Sequence, residues 1–379
     1  MTVAAAKVEN MTASRYTLIS SDSHVIEPHD LWERRVDAAF RERVPRLVHG
    51  DDYDTLEGED YHYDAVGLLA GCLRSDDEVR SHGRWDEDVF PGGYDPDQRL
   101  RDLDLDGMDA EVLFPTIALG FYPIVDTELQ WALFQAYNSW LAEFCRAAPA
   151  RLKGIAMLNH ETVDEAVAEL DRTHALGLVG AMLPLFSGDA VTYRDPRLEP
   201  LWARAAQLGM PIHFHSSTWR DASRSFFNVA GAADRLLNTP VQIQRVLLDL
   251  IFAGVFDRHP GLRVVSAEND AGWAPAMAER ADYWWDRHHH IMGPGEMDCR
   301  EPPSRYFAEH IRLTFMRERS AVLARDVIGP GALMWGNDFP HHISTWPRSA
   351  DLVNSYRDDV DASDHTRIFC TNARTLYGF

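Results

Sequence analysis

Eight short apolar runs, separated by amphipathic or irregular stretches, constrain this chain more than any single motif does. The runs are YTLISSDSHVIEP (16–28), AEVLFP (110–115), LKGIAMLN (152–159), LVGAMLP (178–184), MPIHFH (210–215), LRVVSAE (262–268), IRLTF (311–315) and ALMWGND (332–338). In the stretch ELQWALFQAYNSWLAEFCRAA, Leu129, Leu133, Ala136, Tyr137, Trp140, Leu141 and Phe144 fall on one helical face. Strands that alternate with helices pair in parallel through right-handed crossovers, so eight such units predict an α/β fold closed as a (β/α)8 TIM barrel. An open doubly wound sheet is the competing architecture. It normally carries a Gly-rich phosphate loop after its first strand, and here Ser-Asp-Ser-His stands in that place.

One long polar segment interrupts the rhythm. Residues 40–98 form an acidic insertion after the first strand, rich in Asp, Gly and Tyr and without clear periodicity. Its aromatics predict an ordered cover over a site. Residues 1–15 are expected to be a flexible tail, too poor in apolar residues for a secretory signal. Residues 16–379 are expected to form a single barrel domain, and 45% hydrophobic content is enough to fill its core. A formal charge of −22 argues against nucleic acid or an anionic membrane as partner. The most apolar long stretch, VLLDLIFAGVF, is broken by Asp249, so no membrane span is expected. Cys72, Cys145, Cys299 and Cys370 lie far apart with no C-x-x-C pair, and read as reduced thiols of a cytoplasmic protein.

Chemistry is concentrated where the strands end. Side chains two apart in a strand point the same way, so Asp22 and His24 can reach one cation together. Catalytic groups in barrels of this kind gather at the carboxyl ends of the strands. His215 ends the fifth strand and Asp338 the eighth, which completes a set of two imidazoles and two carboxylates. His213, two before His215, points the same way one layer deeper and reads as a hydrogen-bonded core histidine. His341 and His342 follow Asp338 and could orient the ligands or meet a substrate carboxylate. Trp219 and Arg220, after the fifth strand, are candidates to bound a planar acid. The run His288, His289, His290 ends a helix, where positive charge favours the negative end of the dipole.

Taken together, SDSHVIEP, LDGMDAEVLFPT, PIHFH, WGNDFPHHIST and the terminal NARTLYGF resemble the amidohydrolase-related branch of the amidohydrolase superfamily, closest to the aminocarboxymuconate-semialdehyde decarboxylase group. The resemblance runs from about residue 16 to residue 379. It implies a distorted barrel with one divalent metal, zinc first and manganese second, held by Asp22, His24, His215 and Asp338. Asp338 would also transfer a proton. No lysine ends the fourth strand, which argues against a lysine-bridged two-metal centre. The Asp-x-His form of the first motif, in place of His-x-His, tilts towards a lyase. Glu268 stands about where the family often has a histidine on strand six, as an extra ligand, an acid-base group or a hydrogen-bonding neighbour of a ligand.

The expected activity is decarboxylation of a small aromatic or unsaturated acid, with Asp338 as proton donor and Glu268 and His341 as further catalytic candidates. A hydrolase of an amide, lactone or carbon-carbon bond is the alternative. A silent metal-binding protein is disfavoured by the intact Asp338. The only further partner expected is a second copy of the chain, in a homodimer.

Overall fold

A computed structural model describes residues 16–75, 77–187, 192–220 and 232–379. The expected tail, residues 1–15, lies outside the described residues. Eight strands run in parallel in the order β1 (Ile19–His24), β5 (Ala110–Phe114), β6 (Leu152–Met157), β7 (Gly180–Phe186), β8 (Ile212–Trp219), β9 (Val264–Ala267), β10 (Ile311–Phe315) and β11 (Leu333–Trp335). The sheet closes on itself just past β11, where Asp338 N–H donates to Asp22 O at 2.9 Å and His24 N–H to Phe339 O at 2.7 Å. This is the distorted (β/α)8 barrel expected from the sequence.

Most of the strands form because their runs are apolar on both faces, as parallel strands covered by helices must be, whereas β1 (ISSDSH) buries three serines, Asp22 and His24. Ile19, Val112, Ile155, Met182, Phe214, Val265, Leu313 and Met334, one from each, are fully buried. Between them stand helices Pro96–Asp106, Thr127–Cys145, Val163–Leu176, Glu199–Leu208, Ala232–Phe252 and Ala274–His288. Asp95 and Asp126 accept the first free backbone N–H groups of the first two and so set their starts. A helix at Pro303–His310 and three short ones after β11 (Ser349–Ser355, Ala362–Thr366, Asn372–Tyr377) carry no strong sequence signal and were not expected.

The insertion is more regular than its sequence suggests. It holds a three-stranded antiparallel sheet, β2 (Arg46–His49), β3 (Asp54–Gly58) and β4 (Tyr61–Tyr63), joined to short helical turns. Two buried carboxylates organise it. Asp88 accepts from Arg74 at 2.5 Å, from Arg80 at 3.0 Å and from the Arg84 backbone at 2.8 Å, while Asp54 accepts from Arg84 at 3.0 Å and Trp85 N at 2.8 Å. The segment seats against the loop that carries Asp338: Cys72 N–H donates to Pro340 O at 3.3 Å, and a Cβ on Gly71 would lie 2.5 Å from that of His342.

Candidate metal centre

Barrel closure brings the ends of β1, β8 and β11 together. His24 Nε2 lies 3.7 Å from Asp22 Oδ1 and 3.3 Å from Asp338 Oδ1, and His215 Nε2 lies 3.5 Å from Asp22 Oδ1. Four donors tetrahedrally arranged around one ion at bonds of about 2.1 Å stand about 3.4 Å apart. Among the described residues, Asp22 Oδ1, His24 Nε2, His215 Nε2 and Asp338 Oδ2 are buried and take part in no hydrogen bond. Buried polar atoms are nearly always paired. Donor atoms of Asp22, His24 and His215 lie within 4.8 Å of one another, as do those of His24, Asp338 and His341, and the first group, with Asp338 reaching His24 at 3.3 Å, fits a divalent cation.

The neighbours of these side chains fix how they present themselves. Each imidazole directs Nδ1 at a backbone carbonyl, His24 at Pro115 O (2.7 Å) and His215 at Ser216 O (2.9 Å). That contact places the proton on Nδ1 and leaves the Nε2 lone pair facing the centre. Thr314 Oγ1 donates to Asp22 Oδ2 at 2.8 Å. The buried Arg99, paired with Glu111 at 2.6 and 3.0 Å, donates to His24 O at 2.7 Å. Gly336 is required by contact, since a Cβ there would sit 2.5 Å from Asp22 Cβ.

A small cavity of about 170 Å³ opens beside this cluster, lined by Asp22, Ser216, Glu268, Thr314, Asp338 and the apolar Phe315, Met316 and Ile343 among others. Ser217, Glu268, Asp270 and Asp338 all have positive φ, from 53° to 61°, and all four line it. Asp60 is the one other non-glycine with positive φ among the described residues. Strain gathered at one cavity is the mark of a functional site.

Charges in the cluster are unevenly held. Burial, with His341 beside it, lowers His24 to about 4. Without a cation, burial would lower His215 too, but Asp22 and Glu268 outweigh it and raise this imidazole to about 9, so that Nε2 then carries a proton which a bound cation would displace. Burial likewise opposes ionisation of Asp338, yet His341 and His24 outweigh it and hold this carboxyl well below the usual range. Glu268 is pushed up to about 7 by burial and by the Asp338 charge. It accepts from Ser216 Oγ at 2.9 Å and lies 3.4 Å from His215 Nε2. His341 Nδ1 stands 3.0 Å from Asp338 Oδ1, and its own pKa is raised because Asp338 outweighs the opposing effect of burial.

Asp22, His24, His215, Asp338, Glu268 and His341 thus meet at one place. Trp219 and Arg220, the candidates to bound a planar acid, are not among the residues that line the cavity there. Arg220 is spent on Glu161, at 2.7 and 3.0 Å, and on the carbonyls of Tyr122 and Ile124 at 3.1 and 2.6 Å. Trp219 is buried and pairs with Phe186 across β7 and β8. His213 is a core histidine, bonded to Ala181 O at 3.1 Å and the Tyr377 hydroxyl at 2.9 Å. His288 and His289 turn Nδ1 to the carbonyls of Trp284 and Trp285 at 2.9 and 2.7 Å, as expected at a helix end. His342 packs on Gly71, beside but not among the ligating atoms.

Residues 81–379 match a family model described as Amidohydrolase. Among curated proteins the chain is similar to a gamma-resorcylate decarboxylase of Rhodococcus jostii, 29% identical over 259 residues that cover 63% of this chain and 74% of that one. Among solved structures, an amidohydrolase from Mycobacterium avium subsp. paratuberculosis superposes with a TM-score of 0.78 at 20% identity, covering 96% of this chain and 99% of the other. A dihydroxybenzoic acid decarboxylase from a Polaromonas species, solved with manganese and 2-nitroresorcinol, gives 0.65 at 19% identity and covers 96% of this chain and 97% of its own. At these identities both structures speak to the fold. No described helix is long and apolar enough to cross a membrane.

Proposed function

The chain belongs to the amidohydrolase family, and from that premise we propose that it is a metal-dependent carboxy-lyase acting on a small aromatic or unsaturated carboxylic acid. The observation that carries this reading is the grouping of donor atoms of Asp22, His24 and His215, with Asp338 against His24, beside a small cavity that Asp22 and Asp338 line. The decarboxylase names of its relatives support the choice of reaction.

In this reading Asp22, His24, His215 and Asp338 hold one divalent cation, manganese or zinc. When bound, the cation supplies the positive charge that draws in and orients the substrate's carboxylate or an adjacent hydroxyl. Phe315, Met316 and Ile343 offer apolar wall for a ring. Loss of carbon dioxide breaks a carbon-carbon bond and leaves its electron pair on the ring carbon, which must then take a proton. The Asp338–His341 pair is placed to give it. Because Asp338 is held ionised and His341 is raised, the proton rests on His341 Nδ1 and reaches the carbon by way of Asp338. Glu268, on the cavity wall, holds a second proton below about pH 7 and is the reserve donor.

A hydrolase is the second reading, and the ionised state of Asp338 favours it. An ionised carboxylate has the lone pair with which to accept a proton from water as the water attacks a carbonyl, although a lowered pKa makes it a weak base. A screen of hydroxybenzoic and related acids, amides and lactones on protein reconstituted with manganese or zinc separates the two. Release of carbon dioxide is expected. Release of acid from an amide or lactone, with no carbon dioxide from any acid, would overturn the lyase reading.

A further inference from the structure

We propose that Thr314 is the positioning residue that makes Asp22 a one-oxygen ligand and couples it to Glu268. The proposal rests on the cation reading above and assigns a role to a side chain that belongs to none of the strand-end motifs. Thr314 lies at the end of β10, 1% exposed, and 292 positions from Asp22 in the chain.

A hydroxyl has one proton to give and lone pairs to receive with. Here the receiving side is taken: Glu268 N–H donates to Thr314 Oγ1 at 2.9 Å. The hydroxyl's own proton goes to Asp22 Oδ2 at 2.8 Å. The two carboxylate oxygens of Asp22 therefore differ. Oδ2 is occupied, while Oδ1 is unpartnered and faces His24 and His215. A carboxylate free to turn about its Cβ–Cγ bond could offer both oxygens to a cation, and the threonine fixes one orientation.

The second contact acts on the backbone. Glu268 sits at φ +53°, a conformation that a residue with a Cβ avoids, and its N–H is turned inward to the threonine. One hydroxyl thus orients a ligand and satisfies the strained peptide that presents Glu268, which with Asp22 is one of two carboxylates within 4 Å of His215 among the described residues. The β-branched stem of threonine keeps that hydroxyl in few rotamers.

The test uses the full chain, stripped with chelator and titrated with Mn²⁺, and separately Zn²⁺, by calorimetry. Thr314→Val keeps shape and removes the hydroxyl. Thr314→Ser and Thr314→Ala both lose the methyl and differ only in the hydroxyl, so that pair decides the matter even where the valine variant fails to fold. Loss of a group that orients a ligand typically weakens metal binding by about 10-fold to 100-fold. The dissociation constant is expected to rise by about that factor in Val and Ala, and to return towards the wild-type value in Ser. Wild-type affinity in Val, or equal affinities in Ser and Ala with only thermal stability lowered, would overturn the assignment and leave the cation reading standing. A wild-type chain that takes up neither metal overturns both.

Discussion

Asp88 in the insertion and Asp338 at the barrel mouth are equally buried, each 1% exposed. Every side-chain oxygen of Asp88 is met by an arginine or a backbone N–H, and Asp54 nearby is met in the same way. At the mouth, Asp338 keeps one oxygen unpartnered, Asp22 another, and two imidazole nitrogens face them without a hydrogen bond. Burying a carboxylate is costly unless a cation or donors compensate it. In the insertion the chain supplies that compensation itself, and at the mouth, in the proposed reading, a cation would supply it. The first arrangement holds the fold, and the second is the one proposed to serve chemistry.

That contrast breaks if mouth residues govern folding or insertion residues govern turnover. Its largest expected consequence is at Asp338. Asp338→Asn retains the side-chain shape but cannot relay a proton, so turnover under saturating metal should fall by about 10³-fold or more while circular dichroism is unchanged. Activity within a few-fold of wild type would remove Asp338 from proton transfer.

Glu268→Gln sharpens the contrast from the other carboxylate. If the protonated form of Glu268 is the working one, the rate of the wild type falls as pH rises through about 7, because this carboxyl then ionises. The glutamine variant should lose that limb of the pH profile, with turnover lowered by about 10²-fold and metal content kept. A fall in metal content instead would make Glu268 a ligand, and an unchanged rate and profile would leave proton transfer to Asp338 and His341 alone.

Stability should respond unequally in the two regions. Asp88→Asn strands Arg74 and Arg80 without their anion and is expected to cost about 2–3 kcal/mol, softened because Arg80 is half exposed. Asp22→Asn in chelated protein loses the attraction to His215 but relieves the repulsion from Glu268 and keeps an acceptor for Thr314, and should leave the unfolding free energy within about 1 kcal/mol of wild type. Denaturant melts of the two variants with chelator present check both. An effect between those two is expected at Gly336, where alanine must push Asp22 aside. A loss of about 1–3 kcal/mol together with weaker Mn²⁺ uptake is predicted, and intact uptake would show that the strand yields without moving the ligand.

The barrel was legible because buried parallel strands read as short apolar runs, and the meeting of Asp22, His24, His215 and Asp338 because two-residue periodicity and strand-end placement are both visible in sequence. Asp22 and His24 declare each other, and His215 and Asp338 follow from the barrel rule. What stayed hidden are partnerships between single polar residues far apart in the chain. Thr314 meets Asp22 across 292 positions, and nothing local marks it. Arg220 shows the same: its position after a strand end suggests a substrate contact, and nothing local marks its pairing with Glu161, 59 positions away. The insertion's sheet was missed because its polar strands, such as DTLEG, owe their order to Asp54, Asp88 and their arginines and lack an apolar period.

The central claim is that the unpartnered atoms of Asp22, His24, His215 and Asp338 hold one divalent cation. Elemental analysis of protein purified without chelator, beside the double variant Asp22→Ala/His215→Ala, tests it most directly. About one manganese or zinc per wild-type chain and almost none in the double variant is the predicted result. A stoichiometry near two, or metal retained after both ligands are removed, would contradict it.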